Sequence, residues 1–163
     1  MDCIYCTPEW LKESARLYRE TPRFQEMLKR VSTRVFYRIT AEPEWGIERD
    51  FIFGADVTRG VLNELRFYSE EEAKEKAEFI MAASPQEWKL ILRKEHKFLT
   101  DFMLGKIQLE HGSKVGVLGL APYADAFIAA LTQVNLQFQD DLDAQQVDEY
   151  RTYAAQFRER LGV

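Results

Sequence analysis

Apolar positions recur along this chain with two different periods. In the first third they are spaced for helices. Leu11, Ala15 and Tyr18 share one face, and Phe24, Met27, Leu28 and Val31 form the i, i+3, i+4, i+7 stripe of a half-buried helix. Thr7-Pro8, Thr21-Pro22 and Ser84-Pro85 each place a hydroxyl cap before a proline with φ pre-set for a first helical turn. Glu87, three residues after Ser84, predicts a capping box. The period then becomes two. Val35, Tyr37 and Ile39 alternate with Arg34, Phe36 and Arg38; Phe51, Phe53 and Ala55 alternate with Ile52, Gly54 and Asp56. Leu65 and Phe67, then Phe79 and Met81, continue the alternation to Ala83. Period two with short turn-like spacers, such as Thr58-Arg59-Gly60, predicts antiparallel hairpins of a sheet with one better-buried face. The acidic run Glu70 to Glu75, which Ser69 and Glu72 could cap as one helical turn, reads as a solvated connection.

Helical spacing returns after Pro85, through Trp88 and Ile91, and again from His96 to a stop at Gly105. Ile107 and Leu109 make a short fifth strand. From Pro122 a single helix is predicted to carry Leu120, Tyr123, Phe127, Leu131, Val134 and Phe138 close to one line. After a polar break at Asp140 to Asp143 the last helix has the stripe Val147, Tyr150, Ala154, Phe157 and Leu161. The break suggests a body over 1–142 and an appended helix over 143–163. That stripe is expected to be covered by the body, or else by a second copy of the chain or a partner enzyme. The fold class is α+β.

Composition narrows the function. With 163 residues, 46% of them apolar, the chain can bury a core without staples. A net charge of −5 with no basic block argues against nucleic acid as a partner. No uninterrupted run of 18 apolar residues occurs, so no transmembrane segment is expected, and the start MDCIYCTPEW lacks the pattern of a secretory signal. A cytoplasmic location is therefore expected. Cys3 and Cys6 have the C-x-x-C spacing, but they precede every element and only His96 and His111 could complete a zinc site, so they read as an uninvolved terminal pair. No serine sits in a G-x-S-x-G context, and both histidines read as surface residues. Gly112, Gly116 and Gly119 fit neither phosphate-loop pattern. No enzyme chemistry, metal or cofactor is expected. What stands out is eleven phenylalanines, several on helices that must cover the sheet. They either fill the interior or border an apolar cavity.

The stretch from Ala77 to Phe127 resembles the sterol carrier protein 2 family. The likeness is carried by AEFIMAAS, by SPQEWKLIL, by FLTDFMLGKIQLEHG and by KVGVLGLAPYADAF, with Phe102, Gly105, Lys106, Ile107, Leu109 and Gly112 at the family's helix stop, strand and turn. The resemblance implies a five-stranded, largely antiparallel sheet covered by helices around an apolar tunnel, with extra helices at both ends here. It implies non-enzymatic binding and carriage of a fatty acid, acyl-CoA, sterol-like or isoprenoid lipid. Alternatively, the protein is an accessory module that presents a lipid intermediate to a biosynthetic enzyme. The ending Leu161-Gly162-Val163 is not the peroxisomal Ser-Lys-Leu. If the inward faces line the tunnel, its wall comprises Phe51, Phe53, Phe79, Met81, Phe98, Phe102, Met103, Leu118, Phe127, Ile128 and Leu131, with the helix from Pro122 as the gate.

Overall fold

A computed structural model describes residues 2–163. A three-residue strand, β1 (Asp2–Ile4), and two helices, α1 (Pro8–Arg19) and α2 (Pro22–Met27), lead into a sheet. The sheet is formed by β2 (Thr33–Ile39), β3 (Phe51–Thr58), β4 (Val61–Tyr68), β5 (Phe79–Ala83) and β6 (Gln108–His111). Its strand order is β4-β3-β2-β5-β6, and within it only the central β2–β5 pair is parallel. The architecture is therefore α+β, with a mostly antiparallel sheet. The β3–β4 hairpin turns on Arg59 and Gly60, both with positive φ (48° and 80°), as a two-residue turn matched to strand twist requires. A Cβ at Gly60 would also collide with the carbonyl oxygen of Gln25, so the turn is packed against α2.

Both faces of the sheet are used. Val35, Tyr37, Ile39, Phe53 and Met81 point into the main core. Phe36, Ile52 and Ile80 point the other way, with Tyr68, Ala73 and Ala77, into a small second core. Its cover is α3 (Glu70–Lys76), so the acidic run is an element of the fold rather than a solvated connection. Ser69 and Glu72 form a full capping box, and Ala73 is completely buried. Arg38 holds the helix to the sheet through Glu70, while also pairing with Asp50 at 3.2 Å and Glu110 at 2.7 Å. At Ser84 only half of the expected box forms. The serine caps the amide of Glu87 in α4 (Pro85–Leu92), but the Glu87 carboxylate turns elsewhere. The next helix, α5 (Phe98–Met103), ends before Gly105 as expected.

The segment from Gly112 onwards departs from the expected single helix. α6 (Lys114–Leu120) begins earlier, capped by Ser113, and a 3-10 turn at Ala121–Tyr123 precedes α7 (Ala124–Leu131). Pro122 has no amide hydrogen to donate and its ring crowds the carbonyl one turn earlier, which explains the interruption even though Ala121 keeps α geometry. Lys114–Leu131 has the length and composition of a membrane-crossing helix, yet here it is interrupted at that turn, with Val117, Ala126 and Ile128 buried in the protein. Past Leu131 the helix stops. A last strand, β7 (Asn135–Gln137), pairs in parallel with β1.

This pairing also revises the N-terminus. Cys3 lies opposite Leu136, and both cysteines are buried as free thiols. Burial pushes the Cys6 thiol well up, which removes nucleophilic character from it. The cysteines are therefore core residues, not a loose terminal pair.

The last helix, α8 (Ala144–Leu161), carries a capping box at Asp143 and Gln146. Its stripe faces the body: Tyr150, Ala154 and Phe157 belong to the main core, whereas Leu161 is exposed. Tyr150 donates to the Cys6 carbonyl at 2.8 Å. The Arg158 guanidinium lies 3.7 Å over the Phe51 ring and donates to the carbonyls of Arg49 and Asp50; burial lowers its pKa to about 10.

Candidate ligand-binding cavity

α1 runs beneath the open face of the sheet, and its stripe is Trp10, Ser14 and Tyr18 at i, i+4 and i+8. Between that stripe, the sheet and α7 the core does not close. The larger gap is a cavity of about 60 Å³. That is space for roughly five waters. Val35, Tyr37, Phe53 and Met81 form its sheet wall, and Trp10 comes from α1. Trp88, Ile91 and Leu92 of α4 form one side, with Phe98 of α5. Val117, Phe127, Ile128 and Leu131 close the roof. A second gap of about 30 Å³ lies further along α1, between Ser14, Tyr18, Leu28, Val57 and Leu65. Tyr37, Phe53, Phe127 and Leu131 line both. These four residues form the partition where the two cavities adjoin.

Among the described residues, no charged side chain lines either cavity. Most polar groups in the walls already have partners. The Tyr5 hydroxyl donates to the Pro85 carbonyl at 3.3 Å, and the Trp88 indole to the Arg38 carbonyl at 2.9 Å. The Trp10 indole donates to the Leu131 carbonyl at 2.9 Å, which ties α1 to the end of α7. The Tyr18 hydroxyl donates to the Gly60 carbonyl at 2.5 Å.

Of the eleven residues expected to line a tunnel, Phe53, Met81, Phe98, Phe127, Ile128 and Leu131 meet around the larger cavity. The other five lie elsewhere. Phe51 packs under α8, with its ring 5.7 Å from that of Phe157. Phe79 is pressed against Gly112 and Gly116, where an added Cβ would come within 2.5 Å and 2.6 Å of its ring. Phe102 stacks behind Phe98 at 5.8 Å. Met103 and Leu118 are 56% and 40% exposed, so neither can face the interior. With Leu99, Leu104 and Val115 they form exposed apolar positions on and beside α5 and α6, the elements that supply Phe98 and Val117 to the wall. Strand and helix periods alone do not point to the α1 stripe, Tyr5, Tyr37 or the indole of Trp88. A serine between Trp10 and Tyr18 on one helical face is the available signal.

One titratable cluster, outside the lining of both cavities, clamps α4 to α5. His96 Nδ1 lies 2.6 Å from Asp101 Oδ2 and 3.5 Å from Glu87 Oε1, so His96 is not a lone surface histidine. Burial, then the hydrogen bond to Asp101, pushes the Glu87 carboxyl up, and its buried Oε1 faces no well-placed donor among the described residues. The hydrogen bond from Glu87, then that from His96, holds Asp101 low. The hydrogen bond to Asp101, then that to Glu87, raises the His96 imidazole. The three donor atoms lie within 4.8 Å of one another, a spacing that a divalent cation would also need.

This clamp predicts a pH dependence. His96, raised above its ordinary 6.5, contributes stability fully below that value and loses it as pH rises through its folded value. Asp101, lowered from 3.8, contributes above that value and loses it as pH falls through its own folded value. Glu87, raised from 4.5, adds stability only while protonated, so it too weakens as pH rises. Amide protection of α5, corrected for intrinsic exchange, should therefore fall as pH rises through the His96 transition. Asp101→Asn should weaken that dependence, since Glu87 still faces His96; pH-independent protection in the parent protein would contradict the clamp.

No family model and no curated protein sequence matches the chain. Solved structures do. The crystal structure of a sterol carrier protein 2 superposes with a TM-score of 0.64 at 19% identity, over 78% of this chain and 97% of that one. A conserved hypothetical protein from Thermus thermophilus, described as possibly a sterol carrier protein, reaches 0.67 at 19% identity, covering 80% and 90%. The apo form of sterol carrier protein 2 from Yarrowia lipolytica reaches 0.53 at 9% identity, covering 77% and 88%. At these identities the likeness is one of fold.

Proposed function

Starting from a chain that folds as a sterol carrier protein 2-like domain, we propose that it is a non-enzymatic carrier of a lipid or other apolar small molecule, held between the sheet, α1 and α7. The observation that carries this reading is a gap in the core walled wholly by uncharged aliphatic and aromatic side chains, in a fold shared with proteins described as sterol carriers. At about 60 Å³ the gap as it stands is too small for a lipid, since ligand pockets commonly span about 300–1,000 Å³. A guest is accommodated by turning the partition residues and lifting α7, so that the two gaps become one elongated tunnel. Met81 suits such a wall, being unbranched and polarizable.

The energetics are adequate. Each buried methylene contributes about 0.8 kcal/mol, so a sixteen-carbon chain gains up to about 12 kcal/mol before ordering and association costs. Association costs of at least about 4 kcal/mol leave up to about 8 kcal/mol, which corresponds to micromolar binding. The exposed apolar side chains of α5 and α6 give the chain a route between solvent and the wall at Phe98 and Val117. Native mass spectrometry of the protein titrated with saturated twelve- to eighteen-carbon chains should show one saturable 1:1 adduct. Absence of any adduct would sink the carrier reading, whereas several adducts without saturation would place binding on the surface.

A further inference from the structure

The two cavities contain four hydroxyls and two indole N–H groups, those of Tyr5, Tyr18, Tyr37, Ser14, Trp10 and Trp88. Four of the six donate to backbone carbonyls. The Ser14 hydroxyl does not. Ser14 is fully buried, it lines the smaller cavity, and its Oγ has no hydrogen-bond partner among the described residues. It does not even fold back on the carbonyl one turn earlier, as helical serines often do. Tyr37 lines both cavities, and burial alone raises its phenol, with no hydrogen bond contributing. A buried hydroxyl left without a partner is costly, and nearly all such groups in folded proteins are satisfied.

Resting on the carrier reading above, we propose that Ser14, with Tyr37, is a polar anchor in the smaller cavity, and that it selects a guest with an uncharged hydroxyl or carbonyl head. Both side chains donate and accept, so they complement an alcohol or a carbonyl oxygen. The same walls reject a carboxylate. Among the described residues neither cavity has a lysine, arginine or histidine in its lining, so an anion drawn to Ser14 would be buried without a countercharge. The tail then runs back past Phe53 and Phe127 into the larger, almost wholly apolar cavity. Binding is thus oriented head-inward.

The test uses the full chain and three probes with the same tail: dodecan-1-ol, dodecanoate at pH 8 and dodecane. Binding is read from tryptophan fluorescence, since Trp10 and Trp88 stand in the wall. The alcohol should bind at least about tenfold more tightly than the carboxylate, as expected when one head is hydrogen-bonded and the other is a buried unpaired charge. Ser14→Ala should weaken the alcohol about fivefold, the worth of one hydrogen bond, and leave dodecane unchanged. Because Ser14 has no partner to lose, the variant should be at least as stable as the parent, which separates a binding effect from misfolding. Equal affinity for alcohol and carboxylate, or an unchanged alcohol affinity in Ser14→Ala, would overturn the anchor while leaving the carrier intact. If none of the three probes binds, the carrier reading fails and the anchor with it.

Discussion

Ala124→Phe is expected to abolish uptake of an apolar chain while the protein stays folded. Ala124 opens α7 and its methyl borders the larger cavity, so the added ring would occupy space that a guest must use. Excluding even four methylenes at about 0.8 kcal/mol each lowers affinity by about two orders of magnitude. The fold should tolerate the change. Ala124 is only half-buried, and whatever overpacking costs (about 1–3 kcal/mol) is offset by filling the void. The measurement is a binding isotherm for dodecan-1-ol beside a urea denaturation curve. An unchanged isotherm in a folded variant would mean that chains bind somewhere other than this gap.

Phe157→Ala is expected to produce the largest loss of stability among single changes on the last helix, about 3–5 kcal/mol, the usual cost of deleting a fully buried phenylalanine. Its ring is stacked at 5.7 Å on both Phe51 and Phe67 and met edge-on by Tyr153 at 5.2 Å. The shift is read as the displacement of the urea midpoint with an unchanged slope. A loss below about 1 kcal/mol would show that α8 is not docked as described. The same packing bears on partners. Tyr150 and Phe157 are enclosed by the chain's own body, which leaves Leu161 and the half-exposed Val147 as the stripe's outward members.

Local signals make the sheet and most helix starts readable. A period of two assigns each strand residue to a face, and hydroxyl–proline pairs mark first turns. What a period cannot give is position along the strand. Phe51 and Phe53 share a face of β3, yet Phe53 meets the cavity while Phe51, two residues away, lies under α8. Phe79 and Met81 divide in the same way, because two glycines hold the Phe79 ring at the end of β5. Nor does any local signal announce β1 and β7, two three-residue strands that pair across most of the chain length. Without that pairing, Cys3 and Cys6 look peripheral and Val134 and Phe138 look helical. Ser14 is legible as a polar residue inside an apolar stripe, but its meaning depends on a cavity that only packing reveals.

The central claim concerns where a guest resides. Intermolecular nuclear Overhauser effects between a bound dodecan-1-ol and methyl-labelled protein test it directly. We expect chain protons to contact the methyls of Ile128, Leu131 and Val117, which enclose the larger gap. Contacts confined to the exposed Leu104 and Val115 methyls would contradict an interior site.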